Sequence, residues 1–259
     1  MAFGNPRRVV ITGASGGIGR ALARRYAAPG RDLLLQGRNA RVLDDVAAEC
    51  RLLGAAAATR VLDLRDVDEA RAWVVRADAE GAIDLFIANA GVCSFVTPEH
   101  PGEAWPAVDD VVRVNVLGTI GVVEAIVERM RARKGGQVAL MSSLAAWHGV
   151  PFMPSYSASK AALRAYGEAL RSVLAPENVG VSVIMPGFVD SAMSRQVPAA
   201  TPFLLPADDA ARVIVRGLAR NRPRIGFPRP LAISNWALAV LPSDVARWVL
   251  ERSGFGVRR

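Results

Sequence analysis

The stretch from Val9 to Gly19 reads VVITGASGGIG and decides the fold class that the sequence predicts. It begins as an apolar β-rich run, passes through a glycine-rich turn and continues into a helical pattern. This order places backbone N–H groups and a helix N-terminus where a pyrophosphate binds. Gly13, Gly17 and Gly19 give the spacing G-x-x-x-G-x-G, and no Gly-Lys-Ser/Thr follows as in a Walker A loop. The stretch therefore predicts a dinucleotide-binding unit, with a glycine-rich connection that binds nothing as the alternative.

Short apolar runs alternate with longer helical patterns along most of the remaining chain. Several runs are apolar throughout, which is typical of parallel strands covered on both faces. Repeated βαβ units predict one Rossmann-like domain, a doubly wound parallel sheet in a three-layer α/β sandwich spanning residues 1–259. The predicted strands are Arg8–Thr12, Asp32–Gln36, Thr59–Leu62, Leu85–Asn89, Gln137–Ser142 and Gly180–Met185. The predicted helices are Ile18–Ala28, Ala40–Leu53, Asp66–Ala79, Ala104–Arg133 and Ser155–Leu174.

The last part of the chain, about residues 189–259, lacks this clear alternation. From Val189 to Ala207 it is rich in Pro, Ala and Ser without periodicity, which predicts a loop or lid. The apolar stretch Leu231–Leu241 is too short to span a bilayer, and together with Val245–Leu250 it predicts an apolar helical extension. The sequence leaves open whether this extension caps the core, contacts another subunit, lies on a membrane or forms a wall for an apolar substrate.

Charge, cysteine content and hydropathy argue against nucleic-acid binding, a cysteine metal site and a membrane span. The net charge is +8, but the arginines are scattered and accompany no zinc-finger or RNA-binding motif, so nucleic-acid binding is not expected. Cys50 and Cys93 are far apart and form no metal-ligand pattern. The first residues form no apolar signal segment, and no run reaches the ~18 apolar residues of a membrane span. A cytoplasmic protein with reduced thiols is expected.

Tyr156 and Lys160 lie four residues apart, so on a helix they share one face. Lys134 and Lys160 are the only lysines among 32 basic residues, and the others are arginine. In a chain with this bias, lysine at position 160 favours a requirement for a compact ammonium, which binds ribose hydroxyls and favours ionisation of a nearby phenol. A surface pair on an amphipathic helix is the alternative.

Arg38 lies just after the second predicted strand, in the sequence Gln36-Gly37-Arg38-Asn39. A carboxylate at this point would bind an adenosine ribose 2′-hydroxyl and repel a 2′-phosphate, and this chain has none. A guanidinium binds that phosphate and stacks on adenine. Arg38 therefore predicts NADP(H) as cofactor, with NAD(H) less favoured, unless Arg38 is an ordinary surface residue.

The motifs from Val9 to Met193 resemble, in order, those of the short-chain dehydrogenase/reductase family. Ser143 lies 13 residues before Tyr156, which is the usual serine-to-tyrosine spacing of that family. The other matching segments are Thr12–Gly19, Asp63-Leu64, Ala88–Gly91 (with Ala in place of the first Asn), Asn115 within Val114–Gly118, and Pro186-Gly187.

The resemblance implies a coupled transfer of hydride and proton. It assigns catalysis to Asn115, Ser143, Tyr156 and Lys160. Tyr156 would exchange the proton, Ser143 would hydrogen-bond the substrate oxygen, Lys160 would bind ribose, and Asn115 would hold a water linked to Lys160. The implied cofactor-binding residues are Gly13, Ser15, Gly17, Ile18, Gly19, Arg38, Asp63, Leu64, Asn89, Ala90, Gly91, Tyr156, Lys160, Pro186, Gly187 and Val189. No metal is expected, because hydrogen bonds and the cofactor supply the electrostatics.

By the same resemblance, the substrate would lie against three largely uncharged segments. These segments are Cys93–Phe95, Trp147–Met153 and Phe188–Val197, and they favour an apolar ketone or secondary alcohol. Helices Ala104–Arg133 and Ser155–Leu174 resemble those through which the family associates, so a homodimer or homotetramer is expected. A nucleotide-sugar epimerase or dehydratase and a non-catalytic NADP-binding sensor or scaffold are the alternative functions.

Overall fold

One parallel sheet organises the protein, for which the computed structural model describes residues 3–96 and 102–252. The strands within these ranges are β1 (Arg8–Ile11), β2 (Asp32–Gly37), β3 (Ala56–Val61), β4 (Leu85–Ala88), β5 (Gly136–Met141), β6 (Val179–Pro186) and β7 (Arg224–Phe227). Their order in the sheet is β3-β2-β1-β4-β5-β6-β7, and all pairs are parallel. The strand order reverses between β1 and β4, where a doubly wound sheet leaves a crevice for ligands.

Helices cover both faces of the sheet. They are α1 (Gly17–Tyr26), α2 (Ala40–Leu52), α3 (Val67–Glu80), α4 (Trp105–Val111), α5 (Thr119–Ala132), α6 (Pro154–Leu174), α7 (Ala207–Ala219), α8 (Arg229–Val240) and α9 (Ser243–Arg252). Successive strand residues point to opposite faces, so Val9 and Ile11 pack with α1, α2 and α7, while Val10 packs with α3 and α5. The predicted three-layer α/β fold is confirmed.

The predicted helix Ala104–Arg133 is interrupted in its hydrogen bonding. The chain stays helical, but Val112–Gly118 forms a π-helical segment between α4 and α5. Gly118 packs closely against the end of the β3–α3 connection, since a Cβ there would lie 2.9 Å from Leu64 Cβ. π-Helical segments are rare and occur mostly at functional sites. Asn115 lies in the middle of this segment.

Sequence reasoning missed α7 and β7, which follow the loop between Val189 and Ala207. α7 buries Ala210, Ala211, Ile214 and Leu218, a helical spacing that its arginines obscure. Strand β7 has only four residues, and prolines flank it. The loop itself closes back on its own start, because Val189 and Leu205 form an isolated bridge. The apolar extension forms α8 and α9, and no helix in the described ranges is long and apolar enough to cross a bilayer.

Candidate active site

The turn after β1 is fixed to the turn after β4 by four hydrogen bonds. The Asn89 side chain donates to the carbonyl oxygens of Thr12 and Gly13, both at 3.0 Å. The Thr12 hydroxyl accepts the N–H groups of Asn89 and Ala90 at 3.0 and 3.1 Å. Gly13 has a φ of +63°, and a Cβ on it would lie 2.7 Å from Ala90 Cα. Only glycine therefore fits position 13, and Asn89 holds the turn in shape.

Gly19 brings the first turn of α1 against the glycine-rich loop. A Cβ on Gly19 would collide with the Gly13 carbonyl and lie 2.8 Å from Asn89 Nδ2. Helix α1 has no acidic residue in its first turn, and Gly17 and Ile18 line the adjoining cavity. The positive end of the helix dipole thus faces open space, which is suited to a phosphate group.

Gln36 is a buried residue of this turn that sequence reasoning did not single out. Its Oε1 accepts the Gly13 N–H at 3.2 Å, and its Nε2 donates to the Leu62 carbonyl at 2.6 Å. It therefore ties the turn to the end of β3. The sequence feature that could have identified Gln36 is an amide directly after the apolar residues of β2, since buried polar groups need hydrogen-bond partners.

Arg38 lies at the rim of the same cavity. Its side chain is 57% exposed, and its Nη1 lies 3.9 Å from Asp63 Oδ2. Arg65 donates to Asp63 from its backbone at 3.0 Å and from its guanidinium at 3.0 and 2.6 Å. These hydrogen bonds are the main reason that the pKa of Asp63 lies below its ordinary value. Because Arg65 neutralises Asp63, the guanidinium of Arg38 can bind an additional anion.

Tyr156 and Lys160 lie on the first turns of α6, and Ser143 follows β5. Lys160 Nζ donates to the Met141 carbonyl at 2.9 Å and lies 5.4 Å from the centre of the Tyr156 ring. The Ser143 hydroxyl accepts the Ala145 N–H at 3.2 Å. All three side chains line the cavity that also contains the glycine-rich turn.

Burial shifts both ionisable groups toward their neutral forms. It raises the pKa of Tyr156, as does the neighbouring Cys93, while hydrogen bonding to Ser143 opposes the shift. Burial also lowers the pKa of Lys160 to about 8. Desolvation of the phenol is the largest cause of its shift, and the predicted effect of Lys160 on the ionisation of Tyr156 remains a prediction. At neutral pH, Tyr156 is therefore protonated and can act as a proton donor.

The pKa of Lys160 makes the stability of the protein depend on pH. Between pH 8 and the ordinary lysine value of 10.5, the unfolded state binds more protons at this residue than the folded state. The free energy of unfolding that Lys160 contributes therefore increases as pH rises through this range. Urea unfolding measures this effect. The free energy of unfolding of wild type minus that of Lys160→Met should be larger at pH 10 than at pH 7.5. Parallel pH profiles would contradict the shifted pKa.

Asn115 lies behind the cavity wall and is fully buried. Its Oδ1 accepts the Val92 N–H at 2.8 Å, and its Nδ2 donates to the Val92 carbonyl at 2.9 Å and to Ser159 Oγ at 3.0 Å. Both amide hydrogens are thus committed to protein atoms. In this structure the side chain connects the segment after β4 to α6, next to Lys160, and its predicted role of holding a water remains a prediction.

Glu103 holds the start of α6 and was also missed by sequence reasoning. Its carboxylate accepts the N–H and the hydroxyl of Ser155 at 2.9 and 2.6 Å. The cap residue of α6 is Met153, whose thioether is only a weak acceptor, so Glu103 supplies the charge and the hydrogen bonds of a helix cap. Ser155 directly precedes Tyr156, so this cap positions the catalytic helix.

We expect Glu103→Ala to lower the free energy of unfolding by about 0.5–2 kcal/mol, the usual value of a helix cap. The turnover rate should fall as well, because the first turn of α6 carries Tyr156. Urea unfolding and steady-state kinetics measure both effects. Glu103→Gln keeps one acceptor oxygen and should recover part of each loss. Equal behaviour of Glu103→Ala and wild type would rule out this role.

The cavity has a volume of about 750 Å³, and every predicted cofactor-binding residue lines it. Of the predicted catalytic residues, Ser143, Tyr156 and Lys160 line it, whereas Asn115 does not. Its remaining wall is largely apolar and includes Cys93, Phe95, Val150, Phe152, Met153, Phe188, Met193 and Val197.

Trp147 does not line this cavity in the structure, and its predicted contact with substrate remains a prediction. Its ring lies between the guanidinium groups of Arg164 and Arg224, whose central carbons are 4.5 and 5.1 Å from the ring centre. Glu168 accepts hydrogen bonds from both arginines, which holds this cluster together. Cation–π contacts with the two arginines thus hold the Trp147 ring outside the cavity lining.

The C-terminal helices supply wall residues in its place. From α8 come Leu231, Ser234, Asn235 and Leu238, at the i, i+3, i+4, i+7 spacing of one helix face. Leu241, Val249 and Leu250 extend this surface into α9. Leu231 also packs on the turn after β6, since a Cβ on Gly187 would lie 2.8 Å from it. Of the arrangements left open by the sequence, the inner side of this extension is therefore a wall of the cavity.

Comparisons with known proteins agree with this geometry. The sequence profile of the short chain dehydrogenase family matches residues 7–201. An uncharacterized oxidoreductase of Myxococcus xanthus is 34% identical over 95% of this chain and 96% of its own length. The 11-beta-hydroxysteroid dehydrogenase A of Sesamum indicum is 30% identical over 94% of this chain and 74% of its own length.

Solved structures share the fold at lower identity. A short-chain dehydrogenase from Sphingobium yanoikuyae in complex with NADPH superposes with a TM-score of 0.80. It is 24% identical, and the match covers 97% of this chain and 96% of the other. The profile match and the shared identity along nearly the whole chain, together with the Ser143, Tyr156 and Lys160 arrangement, show that this protein belongs to the short-chain dehydrogenase family.

Proposed function

We propose that this protein is an NADP(H)-dependent oxidoreductase that interconverts a carbonyl and a secondary alcohol on an apolar small molecule. One observation carries the proposal: Tyr156, Ser143 and Lys160 line the same cavity as a phosphate-binding glycine turn. Membership of the family supports a dehydrogenase or reductase that uses a nicotinamide cofactor. The residues that line the cavity fit such a cofactor from Arg38 at one end to Tyr156 at the other.

Proton transfer is the part of the reaction that the chain itself performs. In reduction, the Ser143 hydroxyl hydrogen-bonds the carbonyl oxygen, and Tyr156 gives its proton to that oxygen as negative charge develops there. A bound nicotinamide supplies the hydride to the carbonyl carbon, or accepts it in the opposite direction. Lys160 holds ribose hydroxyls, and its positive charge favours the tyrosinate that remains. Burial raises the pKa of Tyr156 and so makes the phenol a weaker acid, and the positive charge of Lys160 offsets this effect as the proton is transferred.

Arg38 is proposed to select NADPH over NADH. Its replacement by alanine should raise the Kd for NADPH by roughly 10- to 100-fold, the loss expected for a charged hydrogen bond of about 1.5–3 kcal/mol. The Kd for NADH should change little, since NADH has no 2′-phosphate. Titration by nicotinamide fluorescence measures both constants.

Arg41→Ala is the matched control for this experiment, because Arg41 is an exposed arginine on α2 outside the cavity lining. It should leave both affinities as in wild type. Equal binding of NADPH and NADH by wild type would overturn the assignment of Arg38 and leave the fold untouched.

The proposed substrate is apolar and bulky. Aromatic and aliphatic side chains dominate the wall beside Tyr156, and α8 closes it with Leu231 and Leu238. Such walls bind a molecule mostly through buried apolar area, while a few polar groups orient it. The relative from Sesamum indicum is named a hydroxysteroid dehydrogenase, which is consistent with a rigid apolar alcohol or ketone.

Association and location complete the proposal. The family typically oligomerises. The surface of α4, the π-helical segment and α6 exposes Trp105, Val112, Leu117 and Val173 at 74, 41, 51 and 58%. We place a homodimer or homotetramer contact there and the protein in the cytoplasm, which light scattering and cell fractionation test.

A further inference from the structure

The two C-terminal helices and their connection carry exposed apolar side chains, most of which lie outside the cavity lining. On α8, Ile233, Trp236 and Val240 are 65, 50 and 64% exposed and follow one face of the helix. Across the connection, Leu241, Val245 and Trp248 are 40, 43 and 53% exposed. We call these six residues the outer patch. Single exposed apolar residues are common on proteins, but a group of six on two successive helices that includes two tryptophans marks an interaction surface.

Helix α8 is apolar on both sides, which distinguishes it from an ordinary surface helix. Its inner face lines the cavity through Leu231 and Leu238, and none of its twelve residues is fully buried. A surface helix of a soluble protein normally turns a polar face outward. Here the outward face carries the aromatic and aliphatic residues typical of a helix that lies in a membrane interface.

The charge around the outer patch favours an anionic lipid surface. Helices α8 and α9 contain three arginines, Arg229, Arg247 and Arg252, and two acidic residues, in a chain of net charge +8. The Arg252 guanidinium lies 4.2 Å from the centre of the Trp248 ring, so a cation borders the apolar surface directly. Anionic headgroups complement this excess of arginine.

The cavity reaches the protein surface within the outer patch. Leu241 lines the cavity and is also 40% exposed, and Val249 and Leu250 line the cavity beside the exposed Trp248. We propose that α8 and α9 dock this protein peripherally on an anionic lipid surface, with the outer patch inserted at the headgroup level. Docking in this way brings the apolar opening of the cavity against the acyl chains. The docking geometry rests on the patch and its charge, and does not depend on the proposed reaction.

Vesicle binding tests the proposal. The full chain is mixed with vesicles of phosphatidylcholine alone or with phosphatidylglycerol added, and the bound fraction is measured by sedimentation. We expect binding to the anionic vesicles, weaker binding to the neutral ones, and a loss of binding as salt screens the charges. Tryptophan emission should shift to shorter wavelength on binding and be quenched by lipids with brominated chains.

Trp236→Ser and Ile233→Asp remove the patch without altering residues that line the cavity. Each should reduce the affinity for anionic vesicles by roughly tenfold or more, because the buried apolar area is lost. Leu52→Ser is the control, since Leu52 is 89% exposed at the end of α2 and lies outside the cavity lining, so this variant should bind vesicles as wild type does. Unchanged NADPH binding in all three variants shows that each is folded.

Two results would overturn the proposal. One is an absence of vesicle binding by wild type, or binding that the two patch variants do not weaken. The other is a change of mass in light scattering, in which Trp236→Ser and Ile233→Asp dissociate an oligomer that Leu52→Ser leaves intact. That result would make the outer patch an interface between copies of this chain.

Discussion

Tyr156→Phe is expected to slow carbonyl reduction by about 10²–10⁴-fold, the usual contribution of a positioned proton donor. The change removes one oxygen atom and keeps the ring, which lines the cavity and packs beside Lys160. NADPH affinity should stay close to that of wild type, because the phosphate-binding turn and Arg38 are unchanged. The loss should therefore appear in kcat, and steady-state kinetics with parallel fluorescence titration separate it from binding.

Tyr166→Phe controls for the loss of a phenol from the same helix. Tyr166 also lies on α6, but its hydroxyl donates to Glu124 and it does not line the cavity. Its replacement should leave kcat unchanged. A Tyr156→Phe variant that retained the wild-type rate would show that Tyr156 is not the proton donor.

Gly19→Ala is expected to abolish measurable cofactor binding. The new methyl group would meet the Gly13 carbonyl, Asn89 Nδ2 at 2.8 Å and Ala14 Cα at 2.9 Å. These are mostly backbone atoms held by the hydrogen bonds of Asn89, so the turn must open to accommodate the group. Overpacking of this kind costs about 1–3 kcal/mol of stability and displaces the N–H groups that would bind phosphate. Calorimetric titration with NADPH and urea unfolding measure the two effects.

Gly16→Ala offers a control three residues away in the same turn. A Cβ there would have one close neighbour, the Gly13 carbonyl at an ordinary 3.5 Å, and the φ of Gly16 is −81°. Cofactor binding should survive this change. Loss of binding in both variants would mean that any side chain disrupts the turn. Retention of binding in both would contradict the prediction that a methyl group at position 19 prevents cofactor binding.

The N-terminal half of the fold could be predicted because local signals and tertiary environment agree there. In β1 and β4, nearly every residue is apolar because helices cover both faces of the sheet. The turn between β1 and α1 is indicated by Gly13, Gly17 and Gly19. The positions of Ser143, Tyr156 and Lys160 followed from motif spacing. The fold then brings them together, because β5 ends and α6 begins at the carboxyl edge of the sheet.

The features that sequence reasoning missed depend on contacts between distant parts of the chain. Gln36 acts through Gly13 and Leu62, and Glu103 acts through Ser155, 52 positions away. No local pattern identifies such pairs. The inner face of α8 had a readable helical spacing, but the equally apolar outer face concealed it. The stacking of Trp147 between two arginines was also missed, because an aromatic residue near Ser143 suits both a substrate wall and such a stack.

The central claim is that this chain transfers hydride between NADPH and an apolar carbonyl compound while Tyr156 supplies the proton. Deuterium transfer tests it most directly. The protein is incubated with NADPH carrying two deuterium atoms at the nicotinamide C4 and with a panel of steroid, aromatic and aliphatic ketones, and the alcohols formed are analysed by mass spectrometry. The account predicts deuterium at the carbinol carbon with wild type and strongly reduced product with Tyr156→Phe. Tight binding of NADPH without deuterium transfer to any ketone would contradict it and indicate a non-catalytic NADP-binding protein.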